Sequence, residues 1–165
     1  MAAAAYMKLK GFTGAATDDQ HKGSDGWVEI ESFSSPIFRS IPDGATGQDR
    51  LGPTTLGDIS VQRKVDASSP GLASKSAGGG EVIPEVVIEL CTDVNKKQEV
   101  YLRITLTDVV LSGYSLAGSK DGRAYCAEDI QLNPASIAWF MQEFNDDGSK
   151  GGKGDAKYDP KANKA

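Results

Sequence analysis

The chain has little of what catalytic centres are usually built from. Its 165 residues include one histidine, His21, and two cysteines, Cys91 and Cys126. A Ser–His–Asp relay needs a histidine held by an acid and facing an activated serine. Asp18, Asp19 and Ser24 are near His21 in a Gly-rich polar loop, but no G-x-S-x-G elbow accompanies them. A structural or solvent-exposed imidazole is therefore expected, with a small hydrolase using His21 as the remote alternative. Two cysteines so far apart make neither a disulfide framework, a zinc site nor a CxxC redox motif. Reduced, packed thiols are the expectation, and a Cys91–Cys126 bridge stays open. Asn-x-Ser/Thr acceptors are absent. No apolar run approaches the roughly 20 residues that span a bilayer, so membrane insertion is not expected. Met1–Tyr6 has no basic n-region, and Lys8 and Lys10 break the apolar character of the next residues, so no cleaved signal peptide is expected. The protein should start in the cytoplasm, and any export should use a route without such a signal.

Positive charge is also scarce: 18 Lys and Arg against 23 Asp and Glu give a net charge of −5. That argues against coating nucleic acid, which needs a clustered basic surface. The balance is uneven, because residues 149–165 hold five lysines and two aspartates. The tail is thus +3 and the rest −8, which suits either a solvated tail or docking on an acidic neighbour.

What is abundant is alternation. Val86, Ile88 and Leu90 alternate with Glu85, Val87 and Glu89; Val100, Leu102, Ile104 and Leu106 alternate with Tyr101, Arg103, Thr105 and Thr107. Period two places one face in a core and the other toward water or a partner. The polar connector Thr92–Lys97 can turn these two strands into an antiparallel hairpin. Further strands are expected at Tyr6–Phe12, Trp27–Ser34, Leu56–Val65, Ala124–Leu132 and Ala135–Phe144, the last two separated at Asn133–Pro134. Leu116–Arg123 reads as a turn-rich loop and Gly113 as a bend. Ile59, Val61, Arg63 and Val65 share one side of their strand. The single helix expected is Ser68–Ser76, with Ser68 or Ser69 as its cap and Pro70 in its first turn. Beyond Asn145 the chain is Gly, Lys and Asp, either loose or ending in a short strand near Tyr158. Ser35–Pro53 carries three prolines, three glycines and no period, long for a connection inside one domain. The class is all-β, a barrel or a sandwich. One domain is expected: residues 1–145 with an extended loop over 35–53, and a Gly/Lys-rich C-terminal segment, 146–165, belonging to the same unit.

Apparent ligand motifs fail on spacing. Gly148–Lys153 lacks the G-x-x-x-x-G-K-[ST] pattern that cradles phosphate. Glu143, Asn145, Asp147 and Gly148 mimic the start of an EF-hand, but the twelfth position is Gly154 and flanking helices are missing. No cofactor or metal is expected. Glu29, Glu31, Glu85 and Glu89 read as solvated outer faces. Trp27, Tyr101 and Trp139 read as packing residues, with a carbohydrate- or small-ligand-binding β-sandwich as the alternative that would use them as stacking platforms.

The stretches Tyr6–Gly11 (YMKLKG), Thr17–Gly23 (TDDQHKG), Trp27–Ser34 (WVEIESFS), Val65–Leu72 (VDASSPGL), Tyr101–Ser115 (YLRITLTDVVLSGYS) and Ala156–Asn163 (AKYDPKAN), taken in order over nearly the whole chain, resemble the haemolysin-coregulated protein (Hcp) family of the bacterial type VI secretion system. The resemblance implies a mainly β chain: an antiparallel β-barrel of about seven or eight strands with one short α-helix on its flank. It implies a non-enzymatic homo-hexameric ring, rings stacked into a hollow tube, secretion by a contracting sheath, and effector proteins carried in the pore. Partners would be the sheath, spike and baseplate components and the effectors, with neither nucleic acid nor membrane involved. Assembly contacts are then expected at Ser35, Pro36, Ile37, Phe38, Arg39, Asp43, Asp49 and Arg50, and at Lys157 and Tyr158. Glu29, Glu31 and Ser34 are expected to face the pore. Relatives often carry Trp-Gly after the Ser-Phe-Ser of the second strand, where this chain has Ser35–Pro36, a departure that bears on stacking rather than fold. The helix is also poorer in apolar residues, with Ser74, Lys75 and Ser76. No toxin domain is expected at the C-terminal end.

Overall fold

A computed structural model describes residues 3–50, 52–78, 80–121 and 126–162, the side chain of Asp49 excepted. In chain order the strands are β1 (Ala4–Leu9), β2 (Trp27–Glu29), β3 (Ser32–Ser34), β4 (Ile37–Arg39), β5 (Thr54–Leu56), β6 (Ile59–Lys64), β7 (Val82–Val94), β8 (Lys97–Ala117), β9 (Ala127–Phe144) and β10 (Lys150–Tyr158), with one helix, α1 (Ser69–Ala77). Eight strands form one antiparallel sheet in the order β2-β1-β7-β8-β9-β6-β3, with β10 added on β9. β4 and β5 make a separate two-stranded sheet.

The sheet curls into a barrel because one short strip of chain belongs to both of its ends. β2 pairs with β1, and β3 pairs with β6. Between them the Ile30 N–H donates to Ala5 O at 2.9 Å, and the next residue, Glu31, donates to Gln62 O at 2.8 Å. Trp27–Ser34 is therefore two strands rather than the single one expected, since the chain changes partner at Ile30–Glu31.

The β7–β8 hairpin forms as its pattern requires, with Ile88 opposite Ile104 and Val86 opposite Leu106. Its connector is tighter than Thr92–Lys97: only Asn95 and Lys96 turn, both at positive φ (50° and 64°), the handedness that matches the twist of the flanking strands. Cys91 lies within β7.

Other boundaries differ from the sequence reading: the first strand is Ala4–Leu9 rather than Tyr6–Phe12, β8 runs on to Ala117 into the expected loop, and the C-terminal strand β10 is nine residues long. Leu56–Val65 splits into β5 and β6, because Thr54–Leu56 leaves the barrel to pair with β4. The stretches on either side of Asn133–Pro134 join into a single β9. On the side away from β8, β9 pairs with β6 through Leu132 and with β10 from Ile137 onward. Pro134 lies in the gap between these partners, where one side of the strand has no ladder to complete. Ala124 and Arg123, at the expected ends of a strand and a loop, lie outside the described residues. The register shift between Leu111 and Gly113 places the expected bend.

Alternate residues of these strands enclose one core, including Met7, Leu9, Val28, Val61, Ile88, Ile104, Leu106, Ile130 and Leu132. α1 adds Leu72, which is fully buried. Ser68 occupies the cap position without a side-chain cap bond. Its hydroxyl is engaged instead by Asp66 at 2.5 Å and by Arg63 Nη2 at 3.0 Å. Arg63 points inward as its parity with Ile59 and Val61 predicts, and it is fully buried. Its Nε meets Glu128 Oε1 at 2.6 Å, Nη2 pairs with Asp66, and the Tyr114 hydroxyl donates to Glu128 Oε2 at 2.5 Å. Burial, with the Glu128 carboxylate beside it, pushes the Tyr114 phenol up to about 12. Val65, expected on the same inward side, is 37% exposed, because the chain has left β6 and is turning toward α1.

Candidate functional site

The long segment after β3 folds back on itself. Ile37 pairs with Leu56, Phe38 with Thr55 and Arg39 with Thr54. Gly57 N–H donates to Pro36 O at 3.0 Å, and Arg39 Nη1 donates to Gly52 O at 3.1 Å. Gly57 allows a close approach: a Cβ there would lie 2.7 Å from Pro36 Cγ and 2.9 Å from a Phe38 ring carbon. Successive strand residues point to opposite faces, yet Ile37 and Phe38 are 51% and 60% exposed, and Ile41 beyond them 54%. Leu56 packs against the main core, but the β4 strand of this small sheet is exposed at all three residues. Val82, Leu116 and Met141 are comparably exposed elsewhere, so what sets Ile37, Phe38 and Ile41 apart is their closeness in sequence on one small separate sheet and the residues just beyond it. Arg39, Asp43 and Arg50 are exposed around them, while Ser35 and Pro36 are half-buried at the base. The side chain of Asp49 lies outside the described residues.

The other expected assembly residues sit elsewhere. Lys157 is exposed, and Tyr158 is half-buried and packed on the main core. Both are on β10 in the large sheet and line an open groove of about 440 Å³ with Thr107, Ser136, Ala138 and Asp159. Glu29, Glu31 and Ser34 are exposed on the strip that closes the barrel, and Glu31 meets Lys64 Nζ at 3.6 Å.

His21 is not exposed. It is 2% accessible. Its Nε2 lies 2.7 Å from Glu89 Oε2, its Nδ1 lies 3.0 Å from Asp18 Oδ1, and its ring stacks on Tyr6 at 4.1 Å. Trp27 meets it edge-on at 4.5 Å, and Cys91 Sγ is 3.9 Å from Nε2. Cysteine, histidine and aspartate in line resemble a nucleophilic relay, but Cys91 is 1% exposed and both ring nitrogens are committed to carboxylates. The imidazole has no free nitrogen with which to take a proton from a substrate. Of the four glutamates expected on solvated faces, Glu29, Glu31 and Glu85 are exposed, but Glu89 is corrected: it is 5% exposed, and its other oxygen meets Arg103 Nε at 2.5 Å. Burial works against ionising Glu89, but His21 and Arg103 outweigh it and hold its carboxyl below the usual range. Glu89 and Cys91, and Arg103 behind Glu89, were not legible as His21's surroundings, because Glu89 and Cys91 are 68 and 70 residues away in sequence. The only local hint was Asp18 three residues before His21.

The remaining motifs resolve into structure. Trp27 lies against His21, and Trp139 packs on the main core, so neither offers a stacking platform. Asp147 Oδ1 accepts from Ser149 N and Oγ at 2.8 and 2.6 Å within the β9–β10 turn, and Lys150–Lys153 opens β10. Both cysteines are free thiols.

Against known proteins, the family model described as "Type VI secretion system effector, Hcp" matches residues 6–140. Protein hcp1 of Pseudomonas aeruginosa is 27% identical over 158 residues, 96% of this chain and 94% of the relative. Among solved structures, "Structure of a type six secretion system protein" superposes with a TM-score of 0.88 at 25% identity, covering 99% of both chains. Hcp1 from Salmonella typhimurium gives 0.74 at 25% identity, again over 99% of each chain. With the family model spanning most of the barrel, the chain belongs to the Hcp family of type VI secretion proteins.

Proposed function

We propose that this chain is the inner-tube subunit of a type VI secretion machine. Six copies close head to tail into a ring, rings stack into a hollow tube, and a contracting sheath drives the tube out of the cell with small effectors in its pore. The observation that carries the reading is the separate β4–β5 sheet, which leaves Ile37 and Phe38 more than half exposed, with Ile41 equally exposed just beyond it. A repeated head-to-tail contact covers such a patch in every copy at once. Ser35, Pro36, Arg39, Asp43, Asp49 and Arg50 would border that contact, and Lys157 and Tyr158 would serve another. Glu29, Glu31 and Ser34 would line the pore. The subunit works through surfaces rather than catalysis, starts in the cytoplasm and leaves without a cleaved signal. Its partners are other copies, the sheath, spike and baseplate, and its cargo. Negative-stain microscopy of the purified protein tests this: ring-shaped particles with a central hole are expected, and a field of small featureless particles at every concentration would overturn it.

A further inference from the structure

The outer face of β1 and β7 is not bare. The loop after β1 folds flat against it: Gly14 N–H donates to Gly23 O at 2.8 Å, and Ala16 N–H donates to Trp27 O at 3.2 Å. A Cβ on Gly14 would fall 2.0 Å from Trp27 O, so the fit leaves no room even for a methyl group. Beneath the loop Tyr6, Trp27 and Cys91 form a small cluster separate from the barrel core, and His21 plugs it. Ionised carboxylates only accept hydrogen bonds. Asp18 Oδ1 also accepts from the N–H groups of Gln20 and His21, and Glu89 also takes Arg103, so both carboxylates are held ionised. The ring between them must therefore donate from both nitrogens.

We propose that His21 is the bolt of a latch: protonated on both nitrogens between Asp18 and Glu89, it pins the 13–22 loop shut over Cys91, and its release opens the loop while the barrel stays folded. Residues 13–22 contribute no side chain to the main core cluster, the situation in which one segment unfolds locally below the global cost. The groups facing the bolt are Asp18 from the loop, Tyr6 from β1, Trp27 from β2, and Glu89 and Cys91 from β7; one contact further out are Lys8 on Trp27, Glu29 near Tyr6 and Arg103 on Glu89. Burial opposes the charge on His21, but its contacts with Cys91, Glu89 and Asp18 prevail and raise it to about 10.

The full-length protein labelled with [15N]histidine tests this directly, because its one histidine gives a single imidazole signal set. Both nitrogens should carry protons past pH ~8, and loss of one proton near the ordinary value of about 6.5 would overturn the proposal. A second measurement uses Cys126→Ser, which leaves Cys91 as the only thiol. Adding His21→Gln should raise the rate of Cys91 alkylation by iodoacetamide about tenfold or more, the shift expected from losing a hydrogen bond to a charged group. Far-UV circular dichroism should still report a folded barrel. An unchanged rate, or one that rises only where dichroism reports global unfolding, would overturn it.

Discussion

At the scale of single residues, the barrel depends on charges it has buried. Glu128 and Arg63 are both essentially inaccessible and answer each other at 2.6 Å. Removing one partner of such a pair leaves an uncompensated charge, typically costing about 3–5 kcal/mol, close to the size of a small domain's whole stability. Glu128→Ala is accordingly predicted to lower the urea midpoint severely. The paired replacement Arg63→Met with Glu128→Met should cost less than Glu128→Ala alone, and the reverse order would contradict this account of the site. The His21 cluster makes a separate prediction about pH. His21 is raised in the folded state, so its stabilisation is complete below about 6.5 and is lost as pH rises through about 10. Asp18 and Glu89 are lowered, so their stabilisation is present above the ordinary carboxylate range and is lost as pH falls through their depressed values. Urea midpoints should thus be highest from about pH 5 to 6.5 and decline on both sides, and His21→Gln should flatten the alkaline decline. A wild-type midpoint constant from about pH 6.5 to 10 would contradict the assignment. Arg63 was legible from sequence, because it shares its parity with Ile59 and Val61. The His21 surroundings were not, since burial there comes from a loop with no periodicity lying on a strand far away in the chain.

At the scale of elements, strands with clean alternation were readable and partner changes were not. Val86, Ile88, Ile104 and Leu106 declared a face that is buried, whereas Leu90 and Leu102 are half-buried and Val100, past the register shift at Leu90–Cys91, packs with Cys91 on the other side. Trp27–Ser34 reads as one strand, yet it breaks at Ile30–Glu31, where the chain switches neighbours; the only trace in the sequence is the change of apolar parity from Val28 and Ile30 to Phe33. α1 shows the converse: weak by composition, it stands where expected because Leu72 anchors it to the core. Leu72→Ala should cost about 2–5 kcal/mol, measured by chemical unfolding. A loss below about 1 kcal/mol would mean that the helix rests on its Ser68–Asp66–Arg63 bonds instead. The β4–β5 sheet predicts the opposite balance. Ile37→Ser with Phe38→Ser removes surface already exposed in the single chain, so the unfolding free energy should stay within about 0.5 kcal/mol per site. Ring formation should weaken by at least about tenfold, as truncation of apolar anchors at an interface does. Intact assembly in that variant would show that these residues are not at a contact.

At the scale of the whole molecule, the sequence carried the class, the family and the absence of a motif for chemistry, because those rest on composition and on ordered short motifs spread over the chain. Barrel closure through Ile30 and Glu31, and the covering of Glu89, needed coordinates. The central claim is that identical copies close into a ring of six, leaving the apolar sheet of each copy covered. Light scattering coupled to size-exclusion chromatography tests this most directly. The account predicts a particle of six times the 17.4 kDa chain mass. A mass that stays at a single chain as the protein is concentrated would contradict it.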